Sequence, residues 1–385
     1  MTAFAFHTTR SILVRSGAAA DLGQHAGPVL GPRVLLVTDP GLRRIGLDRA
    51  PVQSLQAAGQ DVTVFDRVEP DPSVATLEAA VAAGRAAGVS GVLGLGGGSS
   101  LDVAKVAALR LGSDQPLDQA WGVGRARGKR LPLVLVPTTA GTGSEVTPVA
   151  ILTVEGDEKR GISSDILLPD LAILDADLTL GLPPEITAAT GIDAMVHAIE
   201  AYASASPNNN PLSRMLAREA LRLLGAHIET AVHHGGDRPA REAMLLGAML
   251  AGQAFANSPV AAVHALAYPV GGLFHIPHGL SNALLLTHVL RFNLPAAAAT
   301  YAGIAADAFP GLAATPEPGR AEAFIAALDD LIRRLGMPQR LRDVGIPHQA
   351  LAGMAAEAMK QERLLVNNPR RVTEADALSI YLEAW

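Results

Sequence analysis

The sequence predicts an α/β amino-terminal domain with a parallel, Rossmann-like sheet over residues 1–182, followed by an all-helical domain over residues 183–385. Three observations carry this expectation. Short apolar runs alternate with helix-like stretches through the first half, and long Ala/Leu-rich stretches of helical periodicity fill the second. Between them stand Gly181-Leu182-Pro183-Pro184, where two prolines can only open a helix or stay outside one. At 385 residues the chain is also long for a single hydrophobic core, which suggests two domains.

In order along the chain, the amino-terminal segment is read as contributing a hairpin. Val34-Leu35-Leu36-Val37-Thr38 is then a short apolar run of the fully buried kind, broken by Asp39-Pro40-Gly41. A helix-like stretch runs through Leu55, and Val62-Thr63-Val64-Phe65 is a second strand. A third ends in Val92-Leu93-Gly94-Leu95, and a fourth, Leu133-Val134-Leu135-Val136, stops at Pro137. Strands alternating with helices at this spacing indicate a parallel sheet covered on both faces, with a nucleotide-like ligand at the carboxyl ends of its strands. Beyond Pro184, residues 212–224, 241–254 and 321–335 read as helices, and residues 313–320 read as a surface loop.

Composition narrows the function. With 49% hydrophobic and 18% charged residues the chain is globular rather than disordered. A net charge of −6 with interspersed signs leaves no basic stripe, and 4% aromatic residues offer no stacking platform, so nucleic acid is not an expected partner. The absence of cysteine excludes disulfides, thiolate metal sites and cysteine nucleophiles, so any metal must be held by nitrogen and oxygen. Residues 1–20 lack the pattern of a signal peptide and no run approaches the length of a membrane span, which makes the cytoplasm the expected compartment.

The stretch from Gly191 to Gly279 carries the metal chemistry. Asp193 and His197 are four apart in a run of good helix formers, so both side chains leave one helix face a turn apart, as a bidentate pair would. His264 and His278 add two imidazoles fourteen residues apart. One carboxylate and three neutral imidazoles suit iron(II) or zinc(II) better than magnesium or calcium. Taken without the rest of the chain, the Asp-x3-His pair would be a weak signal, since most of the eleven histidines are expected to be structural.

Two loops point to a nucleotide. Gly94-Leu95-Gly96-Gly97-Gly98-Ser99 follows a strand and opens a helix that carries Asp102 and Lys105, an arrangement that lets backbone amides approach a pyrophosphate. It is not the Gly-x-Gly-x-x-Gly pattern and it follows the third strand, so a plain tight turn is the competing reading. Pro137-Thr138-Thr139-Ala140-Gly141-Thr142-Gly143-Ser144-Glu145-Val146-Thr147 lines the same groove with hydroxyls or merely caps the next element. Asp39, at the end of its strand, would accept hydrogen bonds from a ribose diol and repel a 2′-phosphate, favouring NAD over NADP; ordinary turn chemistry is the alternative.

Together, Gly97-Gly98-Ser99 with Asp102 and Lys105, the Pro137–Glu145 loop, Asp193-x3-His197-Ala198-Ile199-Glu200-Ala201-Tyr202, His264, Pro277-His278-Gly279 and Asn368-Pro369-Arg370 resemble the iron-containing, or group III, alcohol dehydrogenases. The resemblance covers nearly the whole chain and implies the architecture shared with dehydroquinate synthase. It implies that Asp193, His197, His264 and His278 are the metal ligands. Asp39, Gly97, Gly98, Ser99, Asp102, Thr138, Thr139, Thr142, Thr147 and Lys159 match cofactor-contacting positions, although the loop before Lys159 looks one residue short. The implied activity is hydride transfer between NAD(H) and a small alcohol or aldehyde, with iron(II) or zinc(II) as Lewis acid.

One departure stands out. Many members carry a histidine four residues after the third ligand; here the residue is Tyr268, either a proton relay or a side chain that only reshapes the pocket. His275, three residues before His278, has no counterpart in the ligand set. A maleylacetate-type reductase or hydroxyacid dehydrogenase is the first alternative; it would need a cation for a substrate carboxylate, with Arg370, Arg371 and Lys360 as candidates. A dehydroquinate synthase-like lyase and a silent or filament-forming member are further alternatives. The commonness of two-fold symmetry makes a homodimer the default assembly.

Overall fold

The computed structural model describes residues 3–155 and 158–385. The chain divides into two compact units, residues 7–181 and residues 182–385, the second joined by residues 3–6.

In the first unit the apolar runs become strands and the stretches between them helices. The order is β1 (Ile12–Val14), α1 (Leu22–Leu30), β2 (Arg33–Val37), α2 (Pro40–Ile45), α3 (Arg49–Ala57), β3 (Asp61–Phe65), α4 (Val74–Ala87), β4 (Gly91–Gly96) and α5 (Gly98–Gly112). Then come β5 (Gly122–Val123), β6 (Leu133–Pro137), β7 (Val149–Thr153), β8 (Lys159–Ser163) and β9 (Leu171–Leu174). Among the described residues six strands form one parallel sheet in the order β1-β9-β6-β4-β2-β3. Val34 and Leu36 of β2 pack with Leu22 and Leu30 of α1 and Leu55 of α3 on one face. Leu35 and Val37 turn to the other face and meet Leu77 of α4 and Leu101 of α5. Burial on both faces is why these strands read as unbroken apolar runs rather than alternating ones.

The amino-terminal segment is not a hairpin. β1 runs parallel to β9 at the edge of the sheet, paired Ile12 to Ala172 through Val14 to Leu174, a partner far too distant in sequence to be inferred from the segment itself. The sequence reading also passed over the smaller sheet β5-β8-β7, in which β7 and β8 are antiparallel.

The second unit is helical: α6 (Pro184–Ala203), α7 (Pro211–His233), α8 (Arg238–Asn257), α9 (Ala262–Phe274) and the long α10 (His278–Ala308). It continues with α11 (Glu317–Arg334), α12 (Leu351–Met359), α13 (Glu362–Leu365) and α14 (Glu374–Ala384). Prolines sit in the first turn of α6, α7, α8 and α11, where a missing N–H costs nothing. The expected loop over 313–320 is therefore only partly a loop: Pro316 caps α11 and Glu317-Pro318 opens it.

The loop between β6 and β7 is fastened to α5 by a buried polar network. Lys105 Nζ donates to Ser144 Oγ at 2.7 Å, Thr147 Oγ1 at 3.2 Å and Val149 O at 2.7 Å. Asp102 accepts from Ser144 Oγ at 2.6 Å and from the Ile151 amide at 2.8 Å. Glu145 is buried in the same loop, and burial pushes its carboxyl from 4.5 up to about 7 against the attraction of Lys105. Between those two values the folded protein keeps a proton that the unfolded chain has released, so this group lowers stability as pH rises through the window. Glu145→Gln should flatten that fall, so that the variant gains on the wild type by roughly 1–3 kcal/mol between pH 4.5 and 7. Denaturant unfolding at closely spaced pH values tests this, and parallel curves for the two proteins would refute it.

Candidate metal centre and cofactor-binding turns

Three helices bring the four expected ligands together. Asp193 and His197 leave one face of α6, His264 lies in the first turn of α9, and His278 opens α10. One ligand atom from each lies within 4.8 Å of all the others. Asp193 Oδ1 is 3.9, 3.8 and 3.7 Å from Nε2 of His197, His264 and His278. A tetrahedral site with bonds of about 2.1 Å has edges of about 3.4 Å, so shifts of a few tenths of an ångström would close these atoms on an ion. Asp193 is 2% exposed. Burial pushes its carboxyl up, but the attraction of His197, His278 and His264 and a hydrogen bond from Asn282 outweigh it and hold the group below its usual range.

The partners behind the ligands fix their orientation. His264 Nδ1 donates to Glu200 Oε2 at 2.6 Å, and the other Glu200 oxygen accepts from the Val263 amide at 2.7 Å. A proton on Nδ1 leaves Nε2 of His264 with its lone pair directed at the centre, the form a metal needs. His197 is stacked between Phe255, at 4.4 Å, and His264, at 4.8 Å. Packing contacts α6·α8 and α10·α6 give the inward face of α6 its uniform burial from Gly191 to Ala201. His275 is excluded: it is an exposed, left-handed cap at the end of α9 and no member of the cluster.

Sequence reasoning missed Asn282. Its Nδ2 donates to Asp193 Oδ1 at 2.6 Å and stands 3.2 Å from His264 Nε2 and 3.3 Å from His278 Nε2. Asn282 follows His278 by four positions and Glu200 follows His197 by three, so the helical spacing that exposed the first ligand pair would have exposed both. Tyr268, one turn after His264, has its ring 6.3 Å from that of His278, and its hydroxyl is 3.4 Å from Arg363 Nη2. Arg363 was not foreseen either. Of the three cations that were, Arg370 donates to Phe292 O at 2.7 Å and Lys360 pairs with Glu357 at 2.6 Å, while Arg371 is exposed.

In the first unit the strand order β3-β2-β4-β6-β9 is the doubly wound order 2-1-3-4-5, whose topological switch point falls between β2 and β4. Asp39 stands at the carboxyl end of one of these strands and Gly97-Gly98 at the end of the other. This explains why the glycine turn follows the third strand of the chain. Gly97 caps α5, and a Cβ on Gly98 would come within 2.9 Å of Thr142 Cγ2, so the two loops meet only because this position carries no side chain. Thr138 is buried, and Thr139 Cγ2 is 3.6 Å from the place of a Cβ on Gly97. Asp39 Oδ1 accepts from the amides of Gly41 and Leu42 at 2.8 and 3.0 Å, which is the turn chemistry anticipated as its plainer role and leaves Oδ2 outside that cap. Asp102 and Thr147 are bonded within the Lys105 network, Ser99 lies in the first turn of α5, and Lys159 pairs with Asp71 at 2.6 Å.

Comparison with known proteins gives one answer. Residues 9–176 match the model of the iron-containing alcohol dehydrogenases, and residues 187–385 match that of the carboxyl-terminal domain of the Fe-containing alcohol dehydrogenase family. The chain is 41% identical over 355 residues to long-chain-alcohol dehydrogenase 1 of Geobacillus thermodenitrificans, covering 91% of this chain and 89% of that protein. A crystal structure of a 1,3-propanediol oxidoreductase superposes with a TM-score of 0.95 at 35% identity, covering 100% of both chains. The sulfoacetaldehyde reductase of Bifidobacterium kashiwanohense, solved in complex with NAD+, superposes with a TM-score of 0.89 at 29% identity, covering 100% of this chain and 99% of that one. With both halves matched in order and the four ligands converging as that family's motifs imply, the chain belongs to the iron-containing alcohol dehydrogenase family.

Proposed function

We propose that the protein is a metal-dependent, NAD(H)-linked alcohol dehydrogenase or aldehyde reductase acting on small alcohols and aldehydes. The observation that carries this is the convergence of one carboxylate and three imidazoles in a buried pocket of the helical half. An iron(II) or zinc(II) ion held by Asp193, His197, His264 and His278 would polarise the substrate oxygen, while NAD(H) takes or supplies the hydride. What the chain itself does is orient. Glu200 fixes the His264 tautomer, Phe255 holds the His197 ring, and Tyr268 offers a protic hydroxyl beside His278 as the candidate proton relay.

The proposed cofactor contacts are Asp39, Gly97, Gly98, Ser99, Asp102, Thr138, Thr139, Thr142, Thr147 and Lys159, within a nucleotide-binding half of residues 1–182 and apart from a metal-binding half of residues 183–385. Support comes from the switch point and from the close approach of the glycine turn to the threonine loop. The proposed setting is a homodimer in the cytoplasm, with no membrane or nucleic-acid partner. Among the described residues no helix is long and apolar enough to cross a membrane. β1 ends the sheet as an edge strand with Val14 half exposed, the kind of surface that a second copy covers.

A second reading has one observation in its favour. Arg363 has no carboxylate within salt-bridge distance among the described residues and sits on the Tyr268 hydroxyl, one side chain removed from His278. Such a guanidinium would hold the far end of an anionic aldehyde, in keeping with the sulfoacetaldehyde reductase likeness. Arg363→Ala should lower kcat/KM for sulfoacetaldehyde or succinic semialdehyde by about tenfold to a hundredfold and leave that for propanal unchanged. Equal losses on both classes would remove this reading.

His264→Ala should lose bound metal and turnover together while its far-UV circular dichroism stays near that of the wild type. The loss of affinity should exceed the roughly 10- to 100-fold that removal of an outer partner costs. Full activity in this variant would overturn the metal assignment. Asp39→Gly should raise the NADP-to-NAD ratio of kcat/KM by roughly tenfold or more, because it removes a contact repulsion of about 1–4 kcal/mol. The neighbouring groove carries Arg43, Arg44, Arg49 and Arg67 together with Asp66, which pairs with Arg43. An unchanged ratio would take Asp39 out of cofactor selection.

A further inference from the structure

We propose that Asn282 is a positioning residue of the metal site, whose carboxamide competes with a bound ion for the imidazole lone pairs. The inference rests on the metal site proposed above. Asn282 is completely buried in α10, one turn beyond His278. Its carboxamide nitrogen is 2.6 Å from Asp193 Oδ1, 3.2 Å from His264 Nε2 and 3.3 Å from His278 Nε2, so one NH2 group stands over three of the four ligand atoms.

The orientation of the carboxamide follows from its surroundings. Asn282 Oδ1 is buried and has no hydrogen-bond partner among the described residues. Turned the other way, the amide would press that oxygen against Asp193 Oδ1 at 2.6 Å, acceptor on acceptor. The donors therefore face the ligands, and the side chain accepts an unsatisfied carbonyl to keep them there, a cost that a local arrangement bears only where the opposite face gains more.

The lone pairs make the contact exclusive. His264 Nδ1 carries its proton toward Glu200, so Nε2 has one lone pair in the plane of the ring. That lone pair can take an Asn282 N–H or a metal bond but not both. Asp193 Oδ1 has further lone pairs, so its bond to Asn282 can persist in the loaded site. Metal binding must then move the amide off the imidazoles while Asp193 retains its donor. Without an ion the same donors would offset the mutual repulsion of the gathered lone pairs and keep the ligands near coordinating distance.

The consequence is that Asn282 weakens ion binding by stabilising the ion-free form of the protein. Competition titrations of zinc against a chelator, read by metal content, should show Asn282→Ala binding zinc about tenfold more tightly than the wild type, and its zinc-free form should melt at a lower temperature. Equal or weaker zinc binding by the variant, with the wild type binding normally, would overturn the role of Asn282 and leave the metal site standing. No zinc binding by the wild type would overturn both. A second measurement keeps the wild-type chain: the Asn282 side-chain amide resonance, assigned by its absence from Asn282→Ala, should move strongly on zinc addition. An amide resonance unchanged by bound zinc would refute the displacement.

Discussion

The helical half depends on one constraint: four lone-pair donors, three of them on buried residues, converge on a single point. Asp193 is an anion that is 2% exposed, and among the described residues no lysine or arginine lies within 4 Å of it. With the imidazoles neutral and no cation such an arrangement is expensive, because burial pushes the carboxyl up and positive charge on the facing imidazoles, or on an ion, is what pulls it down. The surrounding structure spends much of its polar chemistry on this point. Glu200 bonds two elements of α9 at once, through the Val263 amide and the His264 ring, and Asn282 bonds back to α6. The ends of three helices are thus fixed against one another by groups that are themselves part of the site.

The α/β half shows a different economy. Its strands are covered on both faces, so their hydrophobic side chains carry no directional information beyond the sheet itself. Specific geometry appears only at the carboxyl ends, where the chain reverses its winding and Asp39, the glycine turn and the threonine loop come out at neighbouring strands. The glycines matter there for what they leave out. A single methyl on Gly98 would collide with Thr142, and one on Gly94 would meet Leu135 and Ala104, so the groove and the strand-to-helix packing behind it both require bare backbone.

Much of this was legible in the sequence, and the parts that were not share a physical cause. Asp193 and His197 declare themselves by helical spacing, and the buried runs of β2, β4 and β6 declare themselves by length and composition. The meeting of His264 and His278 with that pair is a tertiary event that only the resemblance to a family could anticipate. β1 was misread because a three-residue strand contains no record of a partner at residues 172–174. The start of α11 lies within the expected loop over 313–320, where Pro318 sits in the first turn and so opens the helix rather than breaking it. Glu200 and Asn282 were within reach of the same spacing rule that found Asp193, but a carboxylate and an amide that serve other side chains carry no chemical signature of their own. Arg363 left no local signal at all, since α13 is a single short turn whose position is set by packing on α9.

Comparison of the two buried polar clusters leads to one further step. In the α/β half, buried Glu145 and Asp102, whose side chain is 15% exposed, share a cation that the chain supplies, Lys105, whose ammonium group is fully enclosed and donates three hydrogen bonds. In the helical half the carboxylate is buried more deeply than Asp102, yet the groups facing it are three imidazoles and an amide rather than a lysine or arginine. The difference is one positive charge. A fold that could have placed a lysine beside Asp193, as it did beside Asp102, instead placed ligands there, so the missing charge has to be imported and can be lost again. Replacing the imported charge with a permanent one would stabilise the helices and abolish the Lewis acid, which is why a buried anion without a fixed cation points to chemistry here rather than to architecture.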